Sequence, residues 1–122
     1  MLHKKTGIER SKLPSSYQII GDILVLKLLK LKSKREKEKI ANTIMYIFPR
    51  IKTVCEIKGI ENEYRKPKIV KLAGDGFETI HKEHGILYQL DVSKIMFSKG
   101  NLFERQRLLN QINSSEIILD MF

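Results

Sequence analysis

One cysteine in 122 residues excludes an intramolecular disulfide framework and any zinc site built from cysteines alone. Cys55 instead fits a small buried residue in a reducing compartment. Long hydrophobic runs are missing as well. The most apolar stretch, residues 19–31, is broken by Asp22, Lys27 and Lys30, so it does not suit a bilayer span. The opening Met1-Leu-His-Lys-Lys carries no apolar signal region. A cytoplasmic protein with no membrane partner is the expectation. No internal repeat or low-complexity segment stands out. There is no nucleophile constellation, and Gly74-Asp-Gly76 lacks the lysine and the serine or threonine of a P-loop.

Carboxylates are scarce relative to cations. Fourteen Asp and Glu against 23 Lys and Arg leave a net charge of +9 and a pI near 9.7. That excess suits either a polyanion, such as RNA, DNA or an acidic membrane surface, or a generally basic soluble protein. Hydrophobic residues make up 42%, and the length is enough for one compact domain and too short for two.

Residues 1–16 are basic, contain Pro14, Ser15 and Ser16, and read as a mobile or loosely docked arm. Residues 17–20 and 23–28 flank Gly21-Asp22, a suitable two-residue hairpin turn. Ser33 predicts a helix N-terminus, with Glu36 completing a capping box. The helix runs to about Phe48, with Ile40, Ile44, Ile47 and Phe48 on one stripe, and Pro49 stops it. Residues 51–57 alternate as a strand, with Ile51, Thr53, Cys55 and Ile57 on one side. Residues 59–66 read as a polar connection. Extended segments are expected over 68–73, 77–82 and 86–91, separated by Gly74-Asp75-Gly76 and His84-Gly85. Residues 101–112 predict a helix with Leu102, Leu108, Leu109 and Ile112 on one face. A short apolar run at 116–120 predicts a buried strand ending in Asp120. Such a strand commonly opens a doubly wound nucleotide-binding sheet, whose ligand sits beyond the strands' carboxyl ends. The expectation is the front part of a larger enzyme.

The expected fold is α/β in the α+β sense. It comprises a mixed, largely antiparallel sheet of five or six strands flanked by one long helix, then the start of a Rossmann-like layer. The expected division is a basic arm at 1–16, an α+β domain at 17–96, and a linker helix with first strand at 97–122.

Arg65, in Glu63-Tyr-Arg-Lys-Pro67, sits on a loop that Pro67 stiffens. Its planar fork suits a phosphate or a guanine edge, or alternatively a neighbouring carboxylate. Glu104 and Arg105 fall in the first turn of the last helix, after Gly100 and a candidate N-cap, Asn101. Amides exposed at such a terminus suit the carboxylate of an amino-acid-like cofactor. Arg105 would add a contact and Glu104 a proton acceptor. The alternative is a charged helix face. His81 and His84 face opposite sides of an extended segment, and His3 lies in the arm, so no metal site is expected.

In order, Tyr17-Gln-Ile-Ile-Gly-Asp-Ile23, Glu63-Tyr-Arg-Lys-Pro67, Leu72-Ala-Gly74, Thr79-Ile-His-Lys-Glu-His-Gly85, Leu90-Asp91, Phe97-Ser98, Glu104-Arg105 and Asp120-Met-Phe122 form a set. This set resembles the archaeal and eukaryotic class I tRNA-modifying transferases that act on the guanosine 3′ of the anticodon. The resemblance spans residues 17–122. It implies tRNA as partner and S-adenosylmethionine as cofactor, with two sister activities, guanine-N1 methylation and the aminocarboxypropyl transfer of wyosine biosynthesis. Ser98-Lys-Gly-Asn-Leu102 is more similar to the aminocarboxypropyl version. The resemblance assigns Ser98 and Arg105 to cofactor contact. It makes Glu104 the base that removes the N1 proton in the methyltransferase, and Arg65 a holder of the guanine. Family members continue past Asp-Met-Phe with an Ala-Gly-Ile/Val-Gly loop that cradles the cofactor. These 122 residues alone are therefore expected to bind tRNA without transferring a group. A stand-alone basic RNA-binding module is the reading from another class. The strand at 116–120, left unpaired, is expected to invite self-association.

Overall fold

The protein is described here by a computed structural model. It covers residues 2–61, 63, 65–117 and 119. Alternating apolar residues set up the centre of the fold. Strands β1 (Tyr17–Ile20) and β2 (Ile23–Leu26) form an antiparallel hairpin around Gly21-Asp22. Helix α2 (Lys34–Ile47) then carries the chain over to β3 (Thr53–Glu61), which pairs with β2 in parallel. A parallel neighbour requires such a crossover. Strand β4 (Lys66–Gly74) returns antiparallel to β3, giving the order β1-β2-β3-β4. Strands β5 (Glu78–Glu83) and β6 (Ile86–Asp91) make a separate hairpin. Its two-residue turn, His84-Gly85, has φ of 50° and 81°, the left-handed geometry that matches hairpin twist. The expected mixed, largely antiparallel architecture is present, divided between two sheets.

Strand β2 is buried along its whole length because both faces are covered. Leu24 and Leu26 face Ile40, Ala41 and Ile44 of α2. Ile23 and Val25 face Leu90 and Val92 at the end of the second hairpin. The same sandwiching explains β3. Its alternation predicts one wet face, yet Val54 and Glu56 are as buried as Thr53 and Cys55. Burial leaves Cys55 fully covered and pushes its thiol up to about 12. The native thiol is therefore expected to resist iodoacetamide at pH 8 and to react only when denaturant opens the core, as mass spectrometry would show. Rapid native labelling would place Cys55 at an accessible site.

Several expectations are corrected. The first residues are not a loose arm. Helix α1 (Leu2–Thr6) packs on α2, Thr6 and Ile8 are buried, and Lys5 Nζ lies 4.4 Å from the Tyr46 ring centre. Ile8 completes the apolar cluster beneath α2, so basic composition did not prevent docking. Phe48 leaves the buried stripe, 40% exposed, because α2 ends at Ile47; Ala41 takes its place. The polar segment 59–66 is largely ladder, with Gly59, Ile60 and Glu61 opposite Lys68, Pro67 and Lys66. Cross-strand pairing overrides polarity there. Ser33 Oγ does accept from the Glu36 amide, at 3.5 Å, at the start of α2.

At the C-terminal end, helix α3 (Leu102–Gln111) forms where expected but has no buried residue. Leu102, Phe103 and Leu108 are exposed. The strand predicted at 116–120 falls partly outside the described residues. Glu116, Ile117 and Leu119 are in no strand, and Ile117 is 100% exposed. A strand exists only through its ladder. Here Glu116 instead closes a local turn, its carboxylate accepting from the Asn113 amide at 3.0 Å.

Candidate functional site

The β1–β2 turn meets the second hairpin across Gly21. With φ of +58°, Gly21 approaches so closely that a Cβ would stand 2.1 Å from Thr79 Oγ1 and 2.6 Å from the Ile80 carbonyl oxygen. Only glycine satisfies both constraints. The Gly21 amide donates to His81 Nδ1 at 3.0 Å. The Asp22 amide donates to Thr79 Oγ1 at 3.2 Å, while that hydroxyl donates to Asp22 Oδ1 at 2.6 Å. Acceptance at Nδ1 puts a neutral ring's proton on Nε2, 3.8 Å from Glu83 Oε1. A cleft of about 650 Å3 opens beside this junction, lined among others by Arg50, Lys52 and Lys82.

The hairpin also grips the segment that leads into α3. Phe97 receives the edges of His81 and Tyr88, at centroid distances of 4.9 and 5.4 Å. Its other contact is the Arg105 guanidinium, 4.5 Å from the ring centre. Gln18 Nε2 donates to the Phe97 carbonyl at 2.9 Å, and Lys99 Nζ donates to the Tyr17 carbonyl at 2.5 Å. Arg105 closes the arrangement. Its Nε and a terminal nitrogen donate to the two oxygens of Glu83 at 2.6 and 3.0 Å, and its other terminal nitrogen donates to the Ser98 carbonyl at 3.0 Å. The two side chains are 20% and 11% exposed. Hydrogen bonding from Arg105 holds the Glu83 carboxyl below its usual range, and the same bond raises Arg105.

Of the residues picked out from sequence, Ser98 and Arg105 come together. Ser98 Oγ accepts from the Gly100 amide at 3.2 Å and caps a short 3-10 turn, the role expected of Asn101, which makes no side-chain cap. Glu104 points elsewhere. It is exposed and pairs with Arg107, whose hydrogen bond holds it below the usual carboxylate range. Arg65 is exposed in the β3–β4 turn with φ of 53°. Among the described residues no hydrogen bond or ion pair joins it to Ser98, Glu104 or Arg105. Sequence reasoning missed Glu83, Phe97 as a stacking platform, and Gln18. Their signal was present only as unexplained members of the ordered motifs. No cluster of three or more His, Cys, Asp or Glu able to hold a metal occurs among the described residues, and no helix there is long and apolar enough to cross a membrane.

The fold and this junction define a mixed α/β domain with a helical linker docked on its second hairpin. Residues 1–77 match the family model described as the TYW2 N-terminal domain, and the chain belongs to that family. Residues 79–122 match the model described as the TRM5/TYW2 methyltransferase domain. A similar curated protein is the tRNA(Phe) (4-demethylwyosine(37)-C(7)) aminocarboxypropyltransferase of Methanocaldococcus jannaschii. It is 39% identical over 109 residues, covering 87% of this chain and 40% of that protein. The solved structure of Pyrococcus horikoshii TYW2 in complex with MeSAdo superimposes with a TM-score of 0.68 at 33% identity. The match covers 88% of this chain and 38% of that one. The structure of aTrm5 with tRNALeu gives a TM-score of 0.72 at 28% identity, over 92% and 34%. The chain thus spans about 40% of the length of the curated relative.

Proposed function

We propose that this chain forms the N-terminal part of an S-adenosylmethionine-dependent transferase that modifies the guanosine-derived nucleoside 3′ of the anticodon in tRNA. Aminocarboxypropyl transfer is the favoured reaction. The observation that carries this reading is the junction at Phe97–Ser98, where motifs scattered from Gln18 to Arg105 converge. Residues 97–122 then act as the entry to a cofactor domain, and the exposed apolar side chains of α3 are the seat for the rest of it. Ser98, which caps the turn before α3, would be a cofactor contact. Arg105 has three of its N–H directions committed to Glu83 and the Ser98 carbonyl. It acts chiefly by fixing that backbone, and its uncommitted N–H groups would be available to a cofactor carboxylate. Arg65, exposed at the turn of the β3–β4 ribbon, is the residue assigned to hold the nucleobase.

Two observations favour the aminocarboxypropyl reaction over its methylating sister. One is the Ser98-Lys-Gly-Asn-Leu102 loop. The other is Glu104. A carboxylate held ionised by Arg107 is a weakened base for removing the N1 proton. The full-length protein should be incubated with tRNA carrying guanosine or 4-demethylwyosine and with cofactor labelled in either the methyl or the aminocarboxypropyl carbons. Label from the aminocarboxypropyl carbons is expected in the 4-demethylwyosine tRNA. Methyl label alone would assign the sister reaction, and no transfer of either would overturn the enzymatic reading.

A further inference from the structure

Eleven of the 23 lysines and arginines lie in the first 39 residues, against four carboxylates. The fold gathers four of them around one groove. One wall is the short 3-10 turn Arg10–Lys12 with the segment 13–16 that follows it; the other is the turn at residues 27–30 after β2. The groove measures about 350 Å3 and carries Arg10, Lys12, Lys27 and Lys30, with no carboxylate in its lining. All four side chains are exposed, and among the described residues none of them makes an ion pair. Glu9 and Glu36 line the neighbouring cleft, which Lys12 also borders together with Arg35 and Lys39.

Both walls are anchored in the same core. Leu28 is buried, and Leu13 packs against the cluster that includes it. The Leu31 amide donates to the Leu28 carbonyl at 3.1 Å and the Leu13 amide to the Arg10 carbonyl at 3.2 Å, fixing each turn. The backbone segments that carry the four cations are therefore held beside one another before any ligand arrives. Four like charges that share a groove and make no ion pair are stabilised by an anion between them. A narrow groove with cations on both walls suits a thread of phosphates rather than a flat surface.

We propose that this groove is a phosphodiester site that carries a stretch of RNA backbone, two or more consecutive phosphates long. It deepens the tRNA reading above, on which it rests, by placing an RNA contact on the face opened by the N-terminal segment. Lysine and arginine here position the RNA without reading its sequence.

The test compares the 122-residue chain with a groove variant, R10Q/K12Q/K27Q/K30Q, and a control of equal charge loss, K58Q/K68Q/K71Q/K94Q. Dissociation constants for an unmodified tRNA transcript and for an unrelated RNA duplex are measured across a salt series, with thermal melts to show that all three fold alike. The groove variant is expected to bind tRNA about tenfold or more weakly and to lose about two units of salt slope, with the control losing far less. Equal loss in groove and control variants would overturn the groove while leaving the tRNA reading intact. Groove-dependent binding of the duplex with no preference for tRNA would support the groove and count against the tRNA reading. No RNA binding by the unaltered chain would overturn the groove, while the transfer assay on the full-length protein decides the tRNA reading. Groove-dependent binding to phosphatidylserine vesicles, with RNA binding unchanged in the variant, would also overturn the proposal.

Discussion

Replacing Lys37 with methionine is expected to lower the unfolding free energy by about 3–4 kcal/mol. Lys37 projects from α2 onto the sheet, and its ammonium donates to both oxygens of Glu56 at 2.9 Å. The two side chains are only 14% and 5% exposed. Glu56 occupies a β3 position covered by the helix, so its carboxylate has lost most of its water. The pair together is near balance, because mutual attraction offsets two desolvation costs. Methionine removes the attraction and leaves the carboxylate uncompensated. Urea unfolding followed by circular dichroism measures the loss. The double variant K37M/E56L should recover most of it, since apolar replacement of both partners fills the same space without a buried charge. A K37M protein within about 1 kcal/mol of the unaltered one would show that water reaches Glu56.

Glu83→Gln is expected to cost about 2 kcal/mol at neutral pH, in the range for hydrogen bonds to charged groups at partly buried sites. Glutamine keeps the size of the side chain but offers one acceptor where the guanidinium needs two. The cost has a defined pH dependence. Glu83 has its folded value lowered from the ordinary 4.5, chiefly by the hydrogen bond from Arg105. Its contribution is therefore fully present above about pH 5 and is lost as pH falls through the lowered folded value. The gap between the two proteins should stay level from neutral pH to about pH 5 and then close in acid. A gap that widens in acid would show that the carboxylate is not the stabilising form. Hydrogen exchange supplies the local readout. Helix α3 buries no residue and is tied down through Arg105 at its start, so its amides should exchange faster in E83Q while those of α2 stay unchanged. A uniform change across both helices would indicate a general loss of stability.

The two pairs illustrate what could be read in advance and what could not. The hairpin at Gly21-Asp22, helix α2 and the β6 bounds follow from local patterns, and each appears in the structure. Alternation set Glu56 on the side of β3 opposite Thr53 and Cys55, but it does not specify whether that second face is covered. Glu83 had no role assigned from the sequence, and His81 was weighed only as a metal ligand. Their partners lie 22 and 60 residues away, beyond the reach of any local rule. Ser98 and Arg105 were picked out by resemblance. What the motif order could not convey is that Arg105 spends most of its donors within the chain, or that Glu104 turns to Arg107 rather than toward Arg105's partners.

By itself, then, the sequence determined the central elements from β1 to β6 and helix α3, their order, the excess of positive charge and membership of a tRNA-modifying family. Periodicity, turn residues and motif order are properties of neighbours along the chain. Only the tertiary structure decided that β2 and β3 are covered on both faces, that the N-terminal segment docks instead of trailing, that four cations share one groove, and that Glu83 holds the start of α3. Each of those depends on groups far apart in the chain meeting in space. The cost of burying or bringing together their charges is set by what surrounds them there, not by what flanks them in sequence.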